Sequence, residues 1–422
     1  MTAIVDELQW RGLIAHATDE DALRKALANG PLTYYCGFDP TAASLHVGHL
    51  VQVLTMRRLQ QAGHRPLALV GGATGHIGDP RPTAERTLNA PETIAGWADR
   101  LRTQIEPFLS FEGDNAATIV NNMDWTSGLS VIEFLRDVGK HFRVNKMLTK
   151  DSVAQRLASD QGISFTEFSY QLLQAMDFLQ LHRRYGCTLQ TGGSDQWGNL
   201  TAGLDLIHRL EPHAEVHAIA TPLLTKADGT KFGKTETGTL WLDPQMTTPY
   251  AFYQFWLNTD DRDISRYMRV LSFKSREELE ELEALTEERP QVRKAQHALA
   301  EELTTLVHGA DECAAVIAAS KALFGQGELA ELDEATLAAA VSELPNAKVK
   351  QLGLVTDLFA EVGLVPSKSA ARRTVKEGGA YVNNVKVATE DAVATPDDLL
   401  HGRWLLLRRG KKNLAAIEIP VP

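Results

Sequence analysis

The sequence predicts an α/β protein whose first domain is built on a doubly wound parallel sheet, followed by a helical part and a small α+β part. Residues 34–38 are rich in aromatic side chains, which favours a strand. Apolar residues then recur at helical spacing from residue 47 to residue 62, just before Gly63, and glycine commonly ends helices. Residues 67–70 form a short apolar run that is typical of a strand buried on both faces. A strand, a helix and a strand at this spacing predict a βαβ unit, and hence the doubly wound sheet.

The other elements of the chain are marked by weaker patterns. We expect an amphipathic helix and a turn within residues 1–33, strands at 116–120 and 187–190, and helices within 91–110, 130–185 and 200–210. From about residue 248 to residue 330 the pattern is helical and strongly charged.

Composition limits the class of protein. A chain of 422 residues predicts two or three domains, and 44% hydrophobic residues suffice for real cores. The three cysteines form no C-x-x-C pair, which argues against a disulfide framework and fits a reducing cytosol. No apolar run reaches the length of a membrane span and the first residues do not resemble a secretory signal, so we expect a cytoplasmic protein. A net charge of −11 argues against a general nucleic-acid coat but permits a local basic surface.

The turn between the first strand and the first long helix is a candidate anion site. It contains His46 and His49 with Gly48 between them. Unpaired backbone N–H groups and the helix dipole attract anions to a helix start, glycine permits close approach, and imidazoles can donate hydrogen bonds to phosphate or ribose. A zinc site is disfavoured because no third ligand is nearby in the sequence.

Two glycine-rich segments follow predicted strands. Residues 71–78 contain four glycines and end next to Asp79, and residues 191–199 lead from a strand into a helix. Two such corners at strand ends are what a ligand crevice at the switch point of a doubly wound sheet requires.

A polar stripe interrupts the long helical region. Tyr170, Gln174 and Asp177 fall at i, i+4 and i+7, so they share one face of a helix whose flanks are apolar. Buried polar groups cost free energy unless they find partners. The partner is either a ligand or a structural hydrogen-bond network, and the residues alone leave both open.

Residues 226–235 contain Lys226, Lys231 and Lys234 among small residues, which suits a mobile clamp on a polyphosphate. The segment departs by one residue from the P-loop pattern and lacks the strand–loop–helix frame of that motif. We therefore reject a P-loop.

The end of the chain changes character. Residues 325–350 are rich in alanine and acidic residues and are expected to be a linker. Residues 351–422 contain ten Lys and Arg against eight Asp and Glu, a net charge of +2, with basic clusters at 367–376 and 408–412. A small domain with a basic face fits RNA binding, and a merely solvated basic tail is the alternative.

Together these motifs resemble one family. His46-Val47-Gly48-His49 is similar to the first motif of class I aminoacyl-tRNA synthetases, and Lys231-Phe232-Gly233-Lys234-Thr235 is similar to the second. The segments 35–41, 78–80, 170–177 and 192–199 narrow the resemblance to bacterial tyrosyl-tRNA synthetases, and residues 366–383 resemble their S4-like RNA-binding module.

The resemblance implies a domain order and a set of partners. It implies a Rossmann-like catalytic domain at 1–225, a mobile lysine-loop linker at 226–247, an α-helical anticodon-side domain at 248–325, a linker at 326–350 and an S4-like RNA-binding domain at 351–422. The implied substrates are L-tyrosine, ATP and tRNA(Tyr), with Mg²⁺ on the ATP phosphates, and the implied assembly is a homodimer with Phe165 in its interface.

The resemblance also implies roles for individual residues. The catalytic set is Thr41, His46, His49, Arg86, Lys231, Lys234 and Thr235, with Arg86 the candidate for the pyrophosphate cation of the 81–86 loop. The tyrosine-binding set is Tyr35, Asp79, Tyr170, Gln174, Asp177 and Gln196. The ATP-binding set is Cys36, Gly37, Asp39, Gly48, Gly193, Asp195 and Lys234, and the RNA-binding set is Lys368, Arg372, Arg373, Lys411 and Lys412. No resident metal site is implied.

Three other functions are compatible with some of these features. A tryptophanyl-tRNA synthetase shares the core, but the basic C-terminal module and the pairing of Tyr35 with Asp177 disfavour it. A small-molecule nucleotidyltransferase also carries H-x-G-H but would not need that module. A noncatalytic RNA-binding protein with the same fold is disfavoured because both motifs retain their histidines and lysines.

Overall fold

The structure, a computed structural model, describes residues 4–81, 88–160, 162–230, 232–235 and 238–420, and for Lys234 and Thr235 it describes the backbone only. Its strands are β1 His16–Ala17, β2 Thr33–Phe38, β3 Arg65–Val70, β4 Thr118–Asn121, β5 Cys187–Gly193, β6 His217–Thr221, β7 Lys234–Thr235, β8 Gly238–Thr239, β9 Asn346–Lys348, β10 Ala380–Val382, β11 Val385–Lys386, β12 Trp404–Arg409 and β13 Asn413–Glu418.

Helices account for most of the remaining chain. They are α1 Ile4–Trp10, α2 Glu20–Ala28, α3 Val47–Gln61, α4 Pro91–Ile105, α5 Met123–Thr126, α6 Val131–Glu133, α7 Val144–Met147, α8 Asp151–Leu157, α9 Phe165–Tyr185, α10 Trp197–Leu210, α11 Pro249–Leu257, α12 Asp261–Leu271, α13 Arg276–Glu288, α14 Lys294–His308, α15 Ala310–Leu323, α16 Glu334–Ser342, α17 Val355–Glu361 and α18 Lys368–Lys376. None of the helices in the described ranges is long and apolar enough to cross a membrane.

The chain divides into two compact units. The first comprises Met1–Asp243 and Asp260–Pro290, and the second comprises Pro244–Thr259 and Gln291–Pro422.

The first unit is organised around a six-stranded sheet in the order β1-β6-β5-β2-β3-β4. All neighbours pair in parallel except β1, which pairs antiparallel with β6. The chain runs outward from β2 through β3 to β4 and then returns to the other side of β2 with β5 and β6. This reversal next to β2 is a topological switch point, where doubly wound folds bind ligands beyond the carboxyl ends of the strands. The predicted fold class is therefore confirmed.

Local sequence explains the elements that border this switch point. Helix α3 covers 47–61, against the predicted 47–62, and its core face includes Leu50, Val53 and Leu54. Helix α9 begins after Ser164, whose hydroxyl accepts from the Glu167 amide, and ends at a left-handed Gly186. Glycine carries no Cβ penalty in that conformation.

Two regions differ from the sequence prediction in detail. The helical region predicted over 130–185 is divided into α6, α7, α8 and α9, because turns such as the left-handed Gly162 interrupt it. The N-terminal 33 residues hold two helices with the edge strand β1 between them, rather than one helix and a turn. A two-residue edge strand leaves too short a pattern to read from sequence.

The second unit combines a helical part and a small sheet. Helix α11 packs with α14, α15 and α16, and a five-stranded sheet in the order β11-β10-β12-β13-β9 packs with α17 and α18. Residues 326–350, expected to be a linker, contain α16 and β9. The alanine-rich composition of this segment predicts too little apolar surface for a core. In the structure, however, Leu337, Ala340 and Val341 are all buried.

Candidate active site

The two motif histidines form a reciprocal cap at the start of α3. His46 Nδ1 accepts from the Gly48 amide at 3.0 Å, and His49 Nδ1 accepts from the His46 amide at 3.1 Å. The rings stack with centroids 3.9 Å apart. A ring nitrogen that accepts a hydrogen bond carries no proton, so each neutral ring carries its proton on Nε2. Both histidines are thus set as Nε2–H donors.

Electrostatics keep His49 in this neutral form. Burial, and secondarily the charge of His46, lowers the pKa of His49 to about 3. Gly48 is required by the same geometry, since a Cβ there would lie 2.7 Å from His46 Cε1. The start of α3 therefore offers imidazole N–H donors and helix-terminal amides without a fixed positive side chain, which suits a phosphate chain.

The second motif lies next to this helix start within the first unit. The Val47 amide donates to the Leu240 carbonyl at 3.1 Å, and His46 and Trp241 form an antiparallel bridge. Gly233 is left-handed, and a Cβ on it would lie 2.4 Å from Val47 Cγ2. The backbone that carries the lysine loop is thereby attached to the histidine turn.

Four residues assigned to catalysis have no described side chain. Arg86 and Lys231 lie outside the described residues. Lys234 and Thr235 are described as backbone only, in β7, which pairs antiparallel with β8.

A continuous chain of hydrogen bonds runs through the switch point from Tyr170 to Asp177. The Tyr170 hydroxyl donates to Asp39 Oδ2 at 2.6 Å, and the Thr74 hydroxyl donates to Asp39 Oδ1 at 2.7 Å. The Asn122 amide group then donates both to Thr74 Oγ1 at 2.9 Å and to Asp177 Oδ2 at 3.0 Å. The chain joins the residues that directly follow β2 and β4 to helix α9 and the glycine-rich 71–78 segment.

Steric contacts explain why glycine occupies positions 71 and 72 of that segment. A Cβ on Gly71 would lie 2.0 Å from Asp39 Oδ1, and a Cβ on Gly72 would lie 2.3 Å from Asn121 Oδ1. Only glycine lets this backbone pass beside those polar groups.

Asp177 lies at the bottom of an apolar environment. It is 2% exposed and accepts from Trp125 Nε1 at 2.8 Å as well as from Asn122. Burial raises the pKa of Asp177 to about 7, although these two hydrogen bonds oppose the shift. The Tyr35 hydroxyl is also buried and has no hydrogen-bond partner among the described groups. Burial, and next the charge of Asp177, raises the pKa of Tyr35.

A second carboxylate, Asp79, is held by three side chains. Lys150 Nζ lies 3.1 Å from Asp79 Oδ1, Asn199 Nδ2 donates to the same oxygen at 3.2 Å, and Gln196 Nε2 donates to Oδ2 at 3.0 Å. Lys150 also donates to Asn199 Oδ1 at 2.8 Å. The cluster joins the first glycine-rich corner to the second.

The remaining sequence-predicted residues border these groups. Gln174 is half-buried on the same face of α9 as Tyr170, and the Thr41 amide donates to the Asp39 carbonyl at 2.8 Å. Cys36 is buried in β2, where burial raises its pKa to about 12, and Gly37 follows it in the strand.

The second glycine-rich corner contains Gly193 and Asp195. A Cβ on Gly193 would lie 2.5 Å from Asp195 Oδ1. Asp195 also lines a cavity of about 560 Å³, together with Arg143, Lys146, Lys150, Trp197 and Arg209.

Sequence reasoning missed Thr74, Asn122, Trp125 and Lys150. Asn122 comes directly after β4, and a polar residue at the carboxyl end of a parallel strand was the available signal. Trp125 lies in the short helix α5 that follows. Lys150 gave no signal in the sequence, because lysine is common on surfaces and only the structure shows that its side chain is 12% exposed.

The five residues assigned to RNA binding lie in the second unit. Arg372, Arg373, Lys411 and Lys412 are exposed, and Lys368 is exposed beside Asp357, with which it pairs at 2.9 Å. Three of them are in α18 and two are in the β12–β13 turn. The backbone at that turn is bonded to the segment after α18, from the Gly410 amide to the Gly379 carbonyl at 2.8 Å.

Comparison with known proteins decides the family. Residues 27–325 match the model of class I tRNA synthetases (W and Y). The chain belongs to this family. Residues 336–417 match the tyrosine–tRNA ligase SYY-like C-terminal domain, and the tyrosine–tRNA ligase of Streptomyces coelicolor is 83% identical over 99% of both chains. The tyrosine–tRNA ligase of Thermobifida fusca is 62% identical over 99% of both chains.

Solved structures give the same family. A truncated mitochondrial tyrosyl-tRNA synthetase from Coccidioides posadasii superposes with a TM-score of 0.66 and 31% identity, covering 75% of this chain and 91% of that one. The resemblance to tyrosyl-tRNA synthetases is thus confirmed, and the names of the relatives favour tyrosine over the tryptophan alternative.

Proposed function

We propose that this class I synthetase joins L-tyrosine to ATP, giving tyrosyl-adenylate and pyrophosphate, and then transfers tyrosine to the 3′ end of tRNA(Tyr). One observation supports this most directly. Asp177 is 2% exposed, the buried Tyr35 hydroxyl has no hydrogen-bond partner among the described groups, and the Tyr35 ring belongs to an apolar core cluster. A tyrosine phenol can bond with both groups, whereas a phenylalanine ring would leave them unpaired, which is costly in a buried site.

The other end of tyrosine is assigned to the polar face of α9 and the Asp79 cluster. Tyr170, Gln174, Asp79 and Gln196 would hold the α-ammonium and carboxylate. Asp79 is assigned to the ammonium because a carboxylate accepts charge-assisted hydrogen bonds from an ammonium.

Adenylate formation needs positioning more than proton transfer. The tyrosine carboxylate attacks the α-phosphorus, the new bond is the mixed anhydride, and pyrophosphate leaves with the electron pair. No protein base is required, so the contribution of the site is orientation and stabilisation of phosphate charge. In this proposal Thr41 and His46 contact the polyphosphate, and Mg²⁺ accompanies it because phosphate oxygens are ligands that Mg²⁺ prefers.

The lysine loop and the ribose side complete the ATP site. Lys231, Lys234, Thr235 and Arg86 are assigned to the leaving pyrophosphate. The adenosine side is assigned to His49 and to a further set, comprising Cys36, Gly37, Asp39, Gly48, Gly193 and Asp195. The neutral Nε2–H of His49 suits a ribose hydroxyl, since that contact needs a donor rather than a charge.

The second unit is assigned to tRNA. Lys368, Arg372, Arg373, Lys411 and Lys412 would contact phosphates, since exposed cations on a small domain give sequence-independent affinity for a nucleic-acid backbone. With the helical domain at 248–325 on the anticodon side, the S4-like domain at 351–422 would position tRNA without taking part in adenylate formation.

A homodimer in the cytoplasm completes the proposal. Phe165 is 75% exposed, Val131 is 72% exposed and Ile132 is 70% exposed, in the α6–α9 region of the first unit. Contiguous exposed apolar surface is typical of a protein–protein interface, and this is the role that we assign to these side chains. Sedimentation that shows only monomer at micromolar concentration would contradict this part.

The deciding experiment is amino-acid-dependent ATP–pyrophosphate exchange with tyrosine, tryptophan and phenylalanine, followed by charging of tRNA(Tyr). We expect exchange with tyrosine at micromolar concentrations and little with the other two. Exchange driven by tryptophan would support the tryptophanyl alternative, and tyrosine exchange without any tRNA charging would support a nucleotidyltransferase.

A further inference from the structure

The proposed chemistry leaves one buried ion pair unexplained. Arg156 in α8 is 1% exposed and Glu167 in α9 is 2% exposed, with Nη1 and Oε2 3.0 Å apart. Among the ion pairs between described residues, no other has both side chains so deeply buried. Burying two charges is expensive, and apolar replacements of such pairs are often equally stable. Stability alone is therefore a weak reason for this pair.

Arg156 also bonds to two backbone carbonyls. Nε donates to the Gly162 carbonyl at 2.9 Å, and Nη1 donates to the Arg81 carbonyl at 3.2 Å. Gly162 precedes α9, and Arg81 is two residues after Asp79. The guanidinium thus joins α8, the start of α9 and the chain that follows Asp79, using a planar set of donors that lysine lacks.

The N-terminal end of α8 contacts the same segment, residues 79–81. Lys150, the residue before α8, bonds to the Asp79 carboxylate at 3.1 Å. Lys150 therefore holds the side chain of Asp79 while Arg156 holds the backbone two residues later. Glu167 and Tyr170 are at i and i+3 in α9, so they lie on the same helical turn. The Arg156–Glu167 pair therefore also fixes the position of the turn that carries Tyr170.

We propose that Arg156 is a positioning residue that fixes Asp79 relative to Tyr170 through the Arg81 carbonyl and Glu167. This inference rests on the proposed function, in which Asp79 and Tyr170 together hold the tyrosine ammonium. Arg156 does not touch the substrate. It sets the spacing between two groups that do, and displacements of about 1 Å between such groups can reduce activity strongly.

The test compares Arg156→Met, Arg156→Lys and the double variant Arg156→Met with Glu167→Met. ATP–pyrophosphate exchange gives KM for tyrosine and KM for ATP, and thermal unfolding gives Tm. We expect Arg156→Met to raise the tyrosine KM about tenfold, with an unchanged ATP KM, and Arg156→Lys to have a smaller effect. The double variant should have a higher Tm than Arg156→Met, close to that of the wild type, because no uncompensated charge remains buried. It should keep the raised tyrosine KM.

Two further variants control the comparison. Arg183, like Glu167, is on α9, and Arg183→Met removes its exposed ion pair with Glu211. This variant should change neither the tyrosine KM nor the ATP KM. Asp79→Asn should raise the tyrosine KM directly. If Asp79→Asn leaves the tyrosine KM unchanged, the proposed role of Asp79 is wrong, which is a different failure from that of Arg156.

The remaining outcomes decide the inference on Arg156 itself. A folded double variant with a wild-type tyrosine KM overturns it. Equal rises in the KM for tyrosine and for ATP also overturn it, because they indicate general loosening. If no Arg156 variant folds, including the double variant, the pair is a folding requirement and the positioning role is wrong.

Discussion

Replacing Tyr35 by phenylalanine separates the stability of the free protein from its affinity for tyrosine. The side chain is 1% exposed and its hydroxyl has no partner among the described groups. An unpaired buried hydroxyl costs roughly 1–3 kcal/mol, so its removal should raise the free energy of unfolding by about 1 kcal/mol or more. The substitution retains the aromatic ring, whose centroid lies 5.3 Å from the ring centroid of Phe178.

The same substitution should weaken tyrosine binding. If the hydroxyl bonds to the substrate phenol, its loss costs about 0.5–1.5 kcal/mol, which is a factor of about 2 to 12 in KM. Phenylalanine has no phenol, so its KM should not rise, and discrimination between the two amino acids should fall. Denaturant unfolding measures the first effect, and exchange kinetics with both amino acids measure the second. A variant that is less stable than the wild type, with an unchanged tyrosine KM, would refute the reasoning.

Three more predictions follow from particular contacts. Burial raises the pKa of Asp177 from 3.8 to about 7, so the folded state holds a proton that the unfolded state has lost. The free energy of unfolding should therefore fall as pH rises from about 4 to about 7, by up to about 4 kcal/mol, and urea titrations of Asp177→Asn should lack this component of the slope. Gly48→Ala places a Cβ 2.7 Å from the His46 ring, so kcat for exchange should fall about 100-fold with an unchanged tyrosine KM, and a wild-type kcat would contradict the described geometry. Reversing charge with Arg372→Glu and Arg373→Glu should abolish tRNA charging but preserve exchange, and normal charging would argue against the proposed RNA face.

The parts of the fold that are specified by local patterns could be predicted from the sequence. The periodicity of α3 and the apolar run of β3 were sufficient to identify the βαβ unit, and the doubly wound sheet followed from their order. The interruption of the predicted helix over 130–185 was not predictable, because the turn at Gly162 is bonded to the Arg156 side chain and no periodicity marks such a contact.

The candidate site was predictable where it is carried by motifs. His46, Gly48 and His49 lie within four residues, and their pattern alone indicates an anion site. Asn122 and Trp125 reach Asp177 across more than 50 residues of sequence, and neither belongs to a motif. No periodicity marks such contacts, because they depend on which strand ends meet at the switch point.

In the proposed function, the hydrogen-bonded chain lets one helix define the length of the amino-acid side chain that the site accepts. Tyr170 and Asp177 are seven residues apart in α9, which is about two turns or roughly 10 Å along the helix axis. Asp39, Thr74 and Asn122 connect the same two residues across the sheet, so their separation is fixed by two independent paths. An amino acid bound with its ammonium at the Tyr170 end reaches Asp177 only if its side chain carries a donor at the corresponding distance. Recognition of tyrosine on this account depends on the rigid spacing of the two ends as much as on the groups found there, and the period of α9 provides that spacing.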